Sequence, residues 1–356
     1  MDRTAYHTQV DKENTLKLRE LLKELPPFAR DYFRAMGTTT SSRTRLSYAY
    51  DLKVFFQFLL KENPAFQHCS MDDLRVDILD QLQSVDIEEY QEYLRVYQSQ
   101  DTGLENTNGE RGIKRKMSAL RSFYAYYYKR EMIHNNPTLL VDMPKLHDKS
   151  IVKLDPDEVA ALLDYIEHAG DTLTGQKKTY YEKTKERDLA IFTLLLGTGI
   201  RVSECVGLDV DDVDFQNYGI KVHRKGGNEM IVYFGDEVAQ ALEDYLAVRE
   251  GITPLPGHEH ALFYSTQRRR IGVKAVENLV KKYAREVTTT KKITPHKLRS
   301  TYGTALYEET GDIYLVADVL GHKDVNTTRS PNEEGVAGYA DRKRARSSAK
   351  WGLQVA

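Results

Sequence analysis

Leu189-Ala190-Ile191-Phe192-Thr193-Leu194-Leu195-Leu196-Gly197-Thr198-Gly199-Ile200-Arg201-Val202-Ser203-Glu204 organises the reading of this chain. Residues 189–196 read as an apolar helix, and the Gly-Thr-Gly break stops it. Arg201 therefore falls in a tight turn between two helices. Upstream, Asp155-Pro156 is an N-cap followed by a first-position proline, opening a helix. Downstream, residues 220–223 and 230–234 read as two strands joined by a turn at Lys225-Gly226-Gly227-Asn228. Helices follow over 237–248 and 273–287, with a short strand between them at 262–264. Thr294-Pro295 opens another helix reaching about Tyr307, and the helix over 313–320 is closed by Gly321.

Further back the pattern is helical throughout, from Pro27 to about Leu140. One strongly apolar helix carries residues 51–60 and ends before Asn63-Pro64. A second covers 87–97 and a third runs over 110–129. On the third, Ile113, Met117, Leu120 and Tyr124 recur at helical spacing and face a core. Arg111, Lys114, Ser118 and Arg121 share another face, suited to phosphates in a groove. Together these elements predict a mainly α fold with a small β-sheet (α+β). Residues 1–23 form a charged helical leader and 24–140 a helical domain. Residues 141–154, which are proline-bearing and aperiodic, are a linker, and 155–356 form a mixed α/β domain.

Composition narrows the function classes. The chain has 356 residues, two cysteines (Cys69 and Cys205) and a formal net charge of −2. Two distant cysteines build neither a disulfide framework nor a Cys-rich metal site, and they suit a reducing cytoplasm. No apolar run approaches the ~18 residues of a membrane span, and the polar N-terminus is unlike a signal peptide. The near-neutral charge counts against a uniformly basic DNA-binding protein, but the charge is uneven. Basic clusters lie at 111–121, at 268–270 with Lys281, Lys282 and Arg285, and at 342–346. A locally basic surface on a neutral protein still holds a phosphate backbone. His258-Glu259-His260 is the best metal motif on offer, yet it stands in a Pro/Gly-rich loop without further ligands, which favours an ordinary surface loop.

Five residues then stand out, each with a plain explanation when taken alone. Arg201 could be a surface cap. Lys225 sits at a hairpin tip, where lysine favours solubility. His296 and Arg299, three apart, point from one face of a helix start. His322 follows a C-cap glycine and suits the helix dipole. Taken together, the run 197–204, Lys225-Gly226-Gly227, His296-Lys297-Leu298-Arg299 and Leu320-Gly321-His322 occur in the order and approximate spacing of a known constellation. From about residue 27 to 329 the chain resembles the tyrosine recombinase (phage integrase) family, with its nearest flavour among Xer-like and mobile-element integrases.

The resemblance implies a site-specific DNA recombinase, and the chemistry explains the residue types. Attack on a phosphodiester develops negative charge on the non-bridging oxygens. Two guanidinium forks, Arg201 and Arg299, match those oxygens and stay charged at physiological pH. Lys225, on a hairpin reaching the minor groove, supplies the proton the leaving 5′ oxygen needs. His296 assists proton transfer, His322 hydrogen-bonds a non-bridging oxygen, and Glu204 buttresses the arginine turn. With two cationic forks present, no carboxylate cluster calls for magnesium, and no cofactor is implied. The family precedent adds a 3′-phosphotyrosine intermediate, strand exchange without ATP, and a four-way (Holliday) junction. It also implies a homotetramer acting on two double-stranded DNA sites.

The nucleophile departs from the family pattern. A tyrosine is expected nine or ten residues after His322, where this chain has Pro331 and Asn332. The only later tyrosine is Tyr339, ahead of the basic run Ala340-Asp341-Arg342-Lys343-Arg344. Three readings stay open on sequence. A lengthened loop delivers Tyr339, in its own site or a neighbour's. Alternatively, Tyr339 is an ordinary aromatic and the protein binds DNA without cleaving it. Or Tyr302 or Tyr307, on the His296 helix, serves instead. A type IB topoisomerase would use similar chemistry, but the helical first half favours the recombinase clamp.

Overall fold

Apolar residues at helical spacing recur through most of the chain, and the backbone follows them. The computed structural model describes residues 6–147, 151–224 and 228–321; Lys225, His322 and Tyr339 lie outside these. The chain divides into two compact units, Met1–His147 and Asp148–Ala356. Both are mainly helical with a small sheet; the second unit's sheet is expected from its strand pattern, whereas the sequence of the first unit reads as helical throughout.

The first unit contains α1 (Tyr6–Leu21), α2 (Ala29–Ala35), α3 (Ser42–Glu62), α4 (Ile78–Gln81), α5 (Ser84–Tyr93), β1 (Val96–Gln98), β2 (Glu105–Thr107) and α6 (Glu110–Tyr128). Its core is aromatic. Phe55, Phe56, Tyr90, Phe123, Tyr124 and Tyr127 are all buried, and burial of each such ring contributes roughly 2–3 kcal/mol. Their phenols find partners: Tyr32 donates to Ser122 Oγ at 2.8 Å and Tyr127 to the Phe28 carbonyl at 2.7 Å. Ile113, Met117, Leu120 and Tyr124 face this core, as their spacing predicts. Helix α1 packs on α3, with Leu18 and Leu21 in the shared core and Ser42 bonded to Asp11 at 2.5 Å. Asn63, extended ahead of Pro64, ends α3.

Two expectations need correction. The helix predicted over 87–97 stops at Tyr93, and Val96–Gln98 instead pairs antiparallel with Glu105–Thr107. Asn108 closes the hairpin, its side chain donating to the Leu94 carbonyl at 2.7 Å and its N–H to the Arg95 carbonyl. The strand predicted over 262–264 is reduced to isolated bridges, Asp209 with Ala261 and Tyr264 with Arg270. There side chains take the backbone groups of Tyr264: its carbonyl accepts from Arg187 and its N–H donates to the Tyr245 hydroxyl, each at 3.0 Å.

An internal charge cluster stabilises the first unit. Asp51 is 3% exposed and accepts from Arg115, with Lys116 Nζ at 3.7 Å. Lys116 is itself buried, whereas Arg115 is half exposed. Asp51→Ala is expected to cost about 3 kcal/mol, because it strands the buried Lys116 charge. The midpoint of urea unfolding reads this loss, and Asp51→Ala/Lys116→Met should recover most of it. A single variant as stable as the parent would refute the pairing.

The second unit contains α7 (Pro156–His168), α8 (Gly175–Glu182), α9 (Lys185–Thr198), α10 (Val202–Gly207), β3 (Val213–Asp214), β4 (Gly219–His223), β5 (Glu229–Tyr233), α11 (Asp236–Glu250), α12 (Val273–Val287), α13 (Pro295–Thr310) and α14 (Ile313–Leu320). Helix α9 is its centre, packed by α7, α11 and α13. Ala190, Ile191, Phe192, Leu194 and Leu195 bury fully or nearly so, which accounts for the apolar run that opened the sequence reading. At the other end of α9, Asp188 is fully buried but accepts from Arg187 and, at 3.0 Å, from Tyr283. Strands β3, β4 and β5 form an antiparallel sheet in that order, with Ile220 opposite Val232 and Val222 opposite Met230. The helix α8 escaped the sequence reading. Tyr181 holds it, donating to the Ile166 carbonyl at 3.1 Å.

Candidate active site

Three local features bring Arg201, His296 and Arg299 close to one another. The first is the exit of α9. Gly199 caps that helix with φ 60°, a left-handed conformation suited to glycine. A side chain there would also collide with the Tyr302 ring. The turn sets Arg201 at the N-cap of α10, where Glu204 receives it twice. One carboxylate oxygen accepts from Arg201 Nη1 and the other from its backbone N–H, both at 2.8 Å. Glu204 is 4% exposed, while a third of the Arg201 side chain, 34%, stays open. Gly199→Ala is expected to cost about 3 kcal/mol, from left-handed backbone strain together with overpacking against Tyr302. The urea midpoint checks it, and an unchanged midpoint would contradict the packing described.

The second feature is the start of α13. Pro295 fills the first helical position, so His296 and Arg299 fall one turn apart, close to the α9 exit. Arg299 is 4% exposed and donates to the Gly199 carbonyl at 2.5 Å and to the Leu320 carbonyl. Burial, with Arg201 nearby, lowers its guanidinium to about 10, which still leaves it charged at neutral pH. His296 is exposed, yet partial desolvation, together with the charges of Lys297, Arg299 and Arg201, holds its imidazole below the usual value. The ring is therefore neutral at neutral pH, able to accept a proton as well as to donate a hydrogen bond.

The third feature is the end of α14. Gly321, left-handed at φ 61°, closes that helix. Arg201 Nη2 donates to the Gly321 carbonyl at 3.3 Å, beside the Leu320 carbonyl held by Arg299. Sequence reasoning missed a third guanidinium here. Arg224, at the end of β4, donates to the Asp318 carbonyl at 3.3 Å and the Val319 carbonyl at 2.6 Å. Burial lowers its charge affinity, with Glu204 opposing and Arg201 adding to the effect. The only sequence signal was a cation preceding the hairpin turn. Three arginines thus stand around one buried carboxylate, and that positive excess suits an anion with several acceptor oxygens.

The other predicted residues divide. Tyr302 and Tyr307 pack with Leu306, Val316 and Leu320, and burial raises the Tyr302 phenol, the opposite of activation. On α6, Arg111 is exposed and Lys114 half-buried, while Ser118 donates to the Lys114 carbonyl at 2.7 Å. Arg121 is half-buried and donates to the Thr138 carbonyl at 3.1 Å and the Val141 carbonyl. In the basic cluster at 268–270, Arg270 is likewise occupied, by Asp209 and by the Val206 and Leu208 carbonyls. In the His258-Glu259-His260 loop, the Glu259 carboxylate accepts from the Gly257 N–H at 2.9 Å. Among the described residues no cluster of three His, Cys, Asp or Glu is placed to hold a metal, and no helix is long and apolar enough to cross a membrane.

Comparison with known proteins identifies the family. Residues 153–331 match the phage integrase family, and residues 31–131 match the phage integrase N-terminal SAM-like domain. The chain is 33% identical over 331 residues to the tyrosine recombinase XerC of Caldanaerobacter subterraneus subsp. tengcongensis, covering 89% of this chain and 86% of that protein. It is 31% identical over 336 residues to the tyrosine recombinase XerS of Streptococcus uberis, covering 88% and 93%. Among solved structures, the XerH recombinase bound to its difH substrate in a pre-cleavage complex superposes with a TM-score of 0.58 at 20% identity, covering 81% and 75%. The Tn1549 transposon integrase in complex with circular intermediate DNA gives 0.57 at 21% identity, covering 83% and 92%. These two likenesses concern the fold. The family match, and the identity to the curated recombinases across nearly nine-tenths of the chain, establish that the protein belongs to the phage integrase family of tyrosine recombinases.

Proposed function

We propose that the chain binds double-stranded DNA at a specific recombination site and cuts and rejoins its strands through Tyr339. The observation that carries the reading is the meeting of Arg201 and Arg299 on neighbouring carbonyls, with His296 one turn away. The two guanidiniums hold the non-bridging oxygens of the scissile phosphate and offset the charge that builds as phosphorus is attacked. The Tyr339 phenolate forms the new bond to phosphorus. The bond to the 5′ oxygen breaks, and that oxygen takes a proton from Lys225. His296 assists proton transfer, and His322 hydrogen-bonds a non-bridging oxygen. One ester replaces another, so strand joining reverses the same steps without ATP.

Residues 24–140 act as the clamp, 141–154 as the linker and 155–356 as the catalytic domain, with 1–23 a helical leader. Arg111 and Lys114 on α6 contact backbone phosphates, with Ser118 beside them, while Arg121 anchors the segment after α6. The assembly is a homotetramer on two DNA sites, working in the cytoplasm. A nicked suicide duplex tests the reading. It carries the sequence that the full chain selects from a randomised duplex, and cleavage on it traps a covalent protein–DNA adduct. Tight binding with no adduct would instead identify a DNA-binding protein that does not cut.

A further inference from the structure

The last carbonyls of α14 are divided among three arginines from three separate elements. Arg224, following β4, takes Asp318 and Val319. Arg299, on α13, takes Leu320, and Arg201, between α9 and α10, takes Gly321. A helix end exposes unpaired carbonyls and the negative pole of the helix dipole, so it attracts cations. Here it attracts three, although like charges repel and only two carboxylates offset them, the buried Glu204 and the exposed Asp318. The packing is close. A side chain on Gly321 would overlap the Arg224 guanidinium, so glycine at this cap serves the arginine as well as the left-handed turn.

We infer that Arg224 is a positioning residue for the phosphate site, acting through the last turn of α14. By bridging two successive carbonyls with one fork it fixes the turn whose next two carbonyls seat Arg299 and Arg201. It also ties the end of β4 to that turn, so sheet and helix cannot shift independently. Lysine would keep the charge but not the bridge, because an ammonium is a point donor and not a planar fork. The inference rests on the assignment of Arg201 and Arg299 to the scissile phosphate.

The test is a double-mutant cycle on the full chain, read as the rate of adduct formation on the suicide duplex. Arg224→Ala is expected to slow cleavage about 10²-fold, the size of effect that misplacing reacting groups by about an ångström produces. In an Arg201→Ala background the same change should cost about tenfold or less, since only the Arg299 fork is then left to be misplaced. DNA affinity at fixed salt should stay within about threefold. Arg224→Lys should bind equally well and cleave about tenfold more slowly than the parent, and it decides the matter if the alanine variant does not fold. Losses that simply multiply, or a lysine variant at the parent rate, overturn the inference and leave the phosphate site standing. Parent-like cleavage by Arg201→Ala alone overturns both.

Discussion

Arg201→Ala is expected to slow adduct formation on the suicide duplex by about 10²–10³-fold, the range found when one preorganised charge donor is removed from a transition state. DNA affinity at fixed salt should stay within about threefold, since a single phosphate contact is a small part of a clamp's total. Arg299→Ala should lose cleavage to a similar degree, and it carries an added cost. Its guanidinium is buried between the Gly199 and Leu320 carbonyls, so its removal leaves two buried acceptors without that donor, at about 1–3 kcal/mol each. Arg201→Ala is also not free of cost, because the buried Glu204 carboxylate keeps the Arg201 N–H but loses the guanidinium. Both variants are therefore compared at a temperature where their melts show them folded. Arg→Lys at either position separates charge from shape. If the planar fork matters, lysine restores stability better than it restores cleavage. Cleavage at the parent rate by either alanine variant would remove these arginines from the phosphate site.

Much of this site was readable because its residues sit at structural punctuation. Arg201 follows a Gly-Thr-Gly helix exit, His296 and Arg299 follow a Thr-Pro helix start, and His322 follows a C-cap glycine. Such signals are local, and the backbone obeys them: α9 ends at Thr198, α13 starts at Pro295 and α14 ends at Leu320. What escaped depends on long-range partners. Arg224 is an unremarkable cation until α14 returns beside β4, nearly a hundred residues later. Arg121 shares a helical face with Arg111 and Lys114, but the carbonyls of Thr138 and Val141 draw it away. The end of a predicted helix pairs instead with Glu105–Thr107, a partner that spacing over 87–97 does not reveal. Spacing gives the face a side chain occupies, not the acceptors that another segment brings to it.

The arginines also connect the fold to the chemistry in a way the sequence order conceals. Each of the three comes from a different element, yet all end on four successive carbonyls at the close of one short helix. One shared helix end holds all three, and under the proposed phosphate assignment that alignment would leave little reorganisation for the moment of reaction. The buried Glu204 complements this arrangement, fixing one arginine from behind while leaving a third of its side chain open.

Tyr339→Phe should abolish the adduct, lowering its rate of formation by at least about 10⁴-fold, as loss of a nucleophile does in enzymes that act through a covalent intermediate. Phenylalanine keeps the ring and removes only the oxygen that would bond to phosphorus. Unperturbed, a phenol loses its proton near pH ~10, so attack at neutral pH needs cations close by, the part proposed for Arg201 and Arg299. Tyr302 and Tyr307 lack that setting, since both pack against the α13–α14 cluster. The peptide that carries the adduct decides between them. Trypsin cuts after Arg329 and Arg342, and the segment between contains one tyrosine, Tyr339, whereas Tyr302 and Tyr307 fall together between Arg299 and Lys323. DNA on the 330–342 peptide is the expected result, and DNA on the 300–323 peptide would overturn the assignment. The same variant then asks whose site Tyr339 serves. Mixed on one DNA, Tyr339→Phe and Arg201→Ala protomers should regain cleavage if the tyrosine crosses to a neighbour, because one combination then joins an intact nucleophile to an intact arginine pair. If the tyrosine acts at home, every site in the mixture lacks one or the other, and the mixture stays inactive.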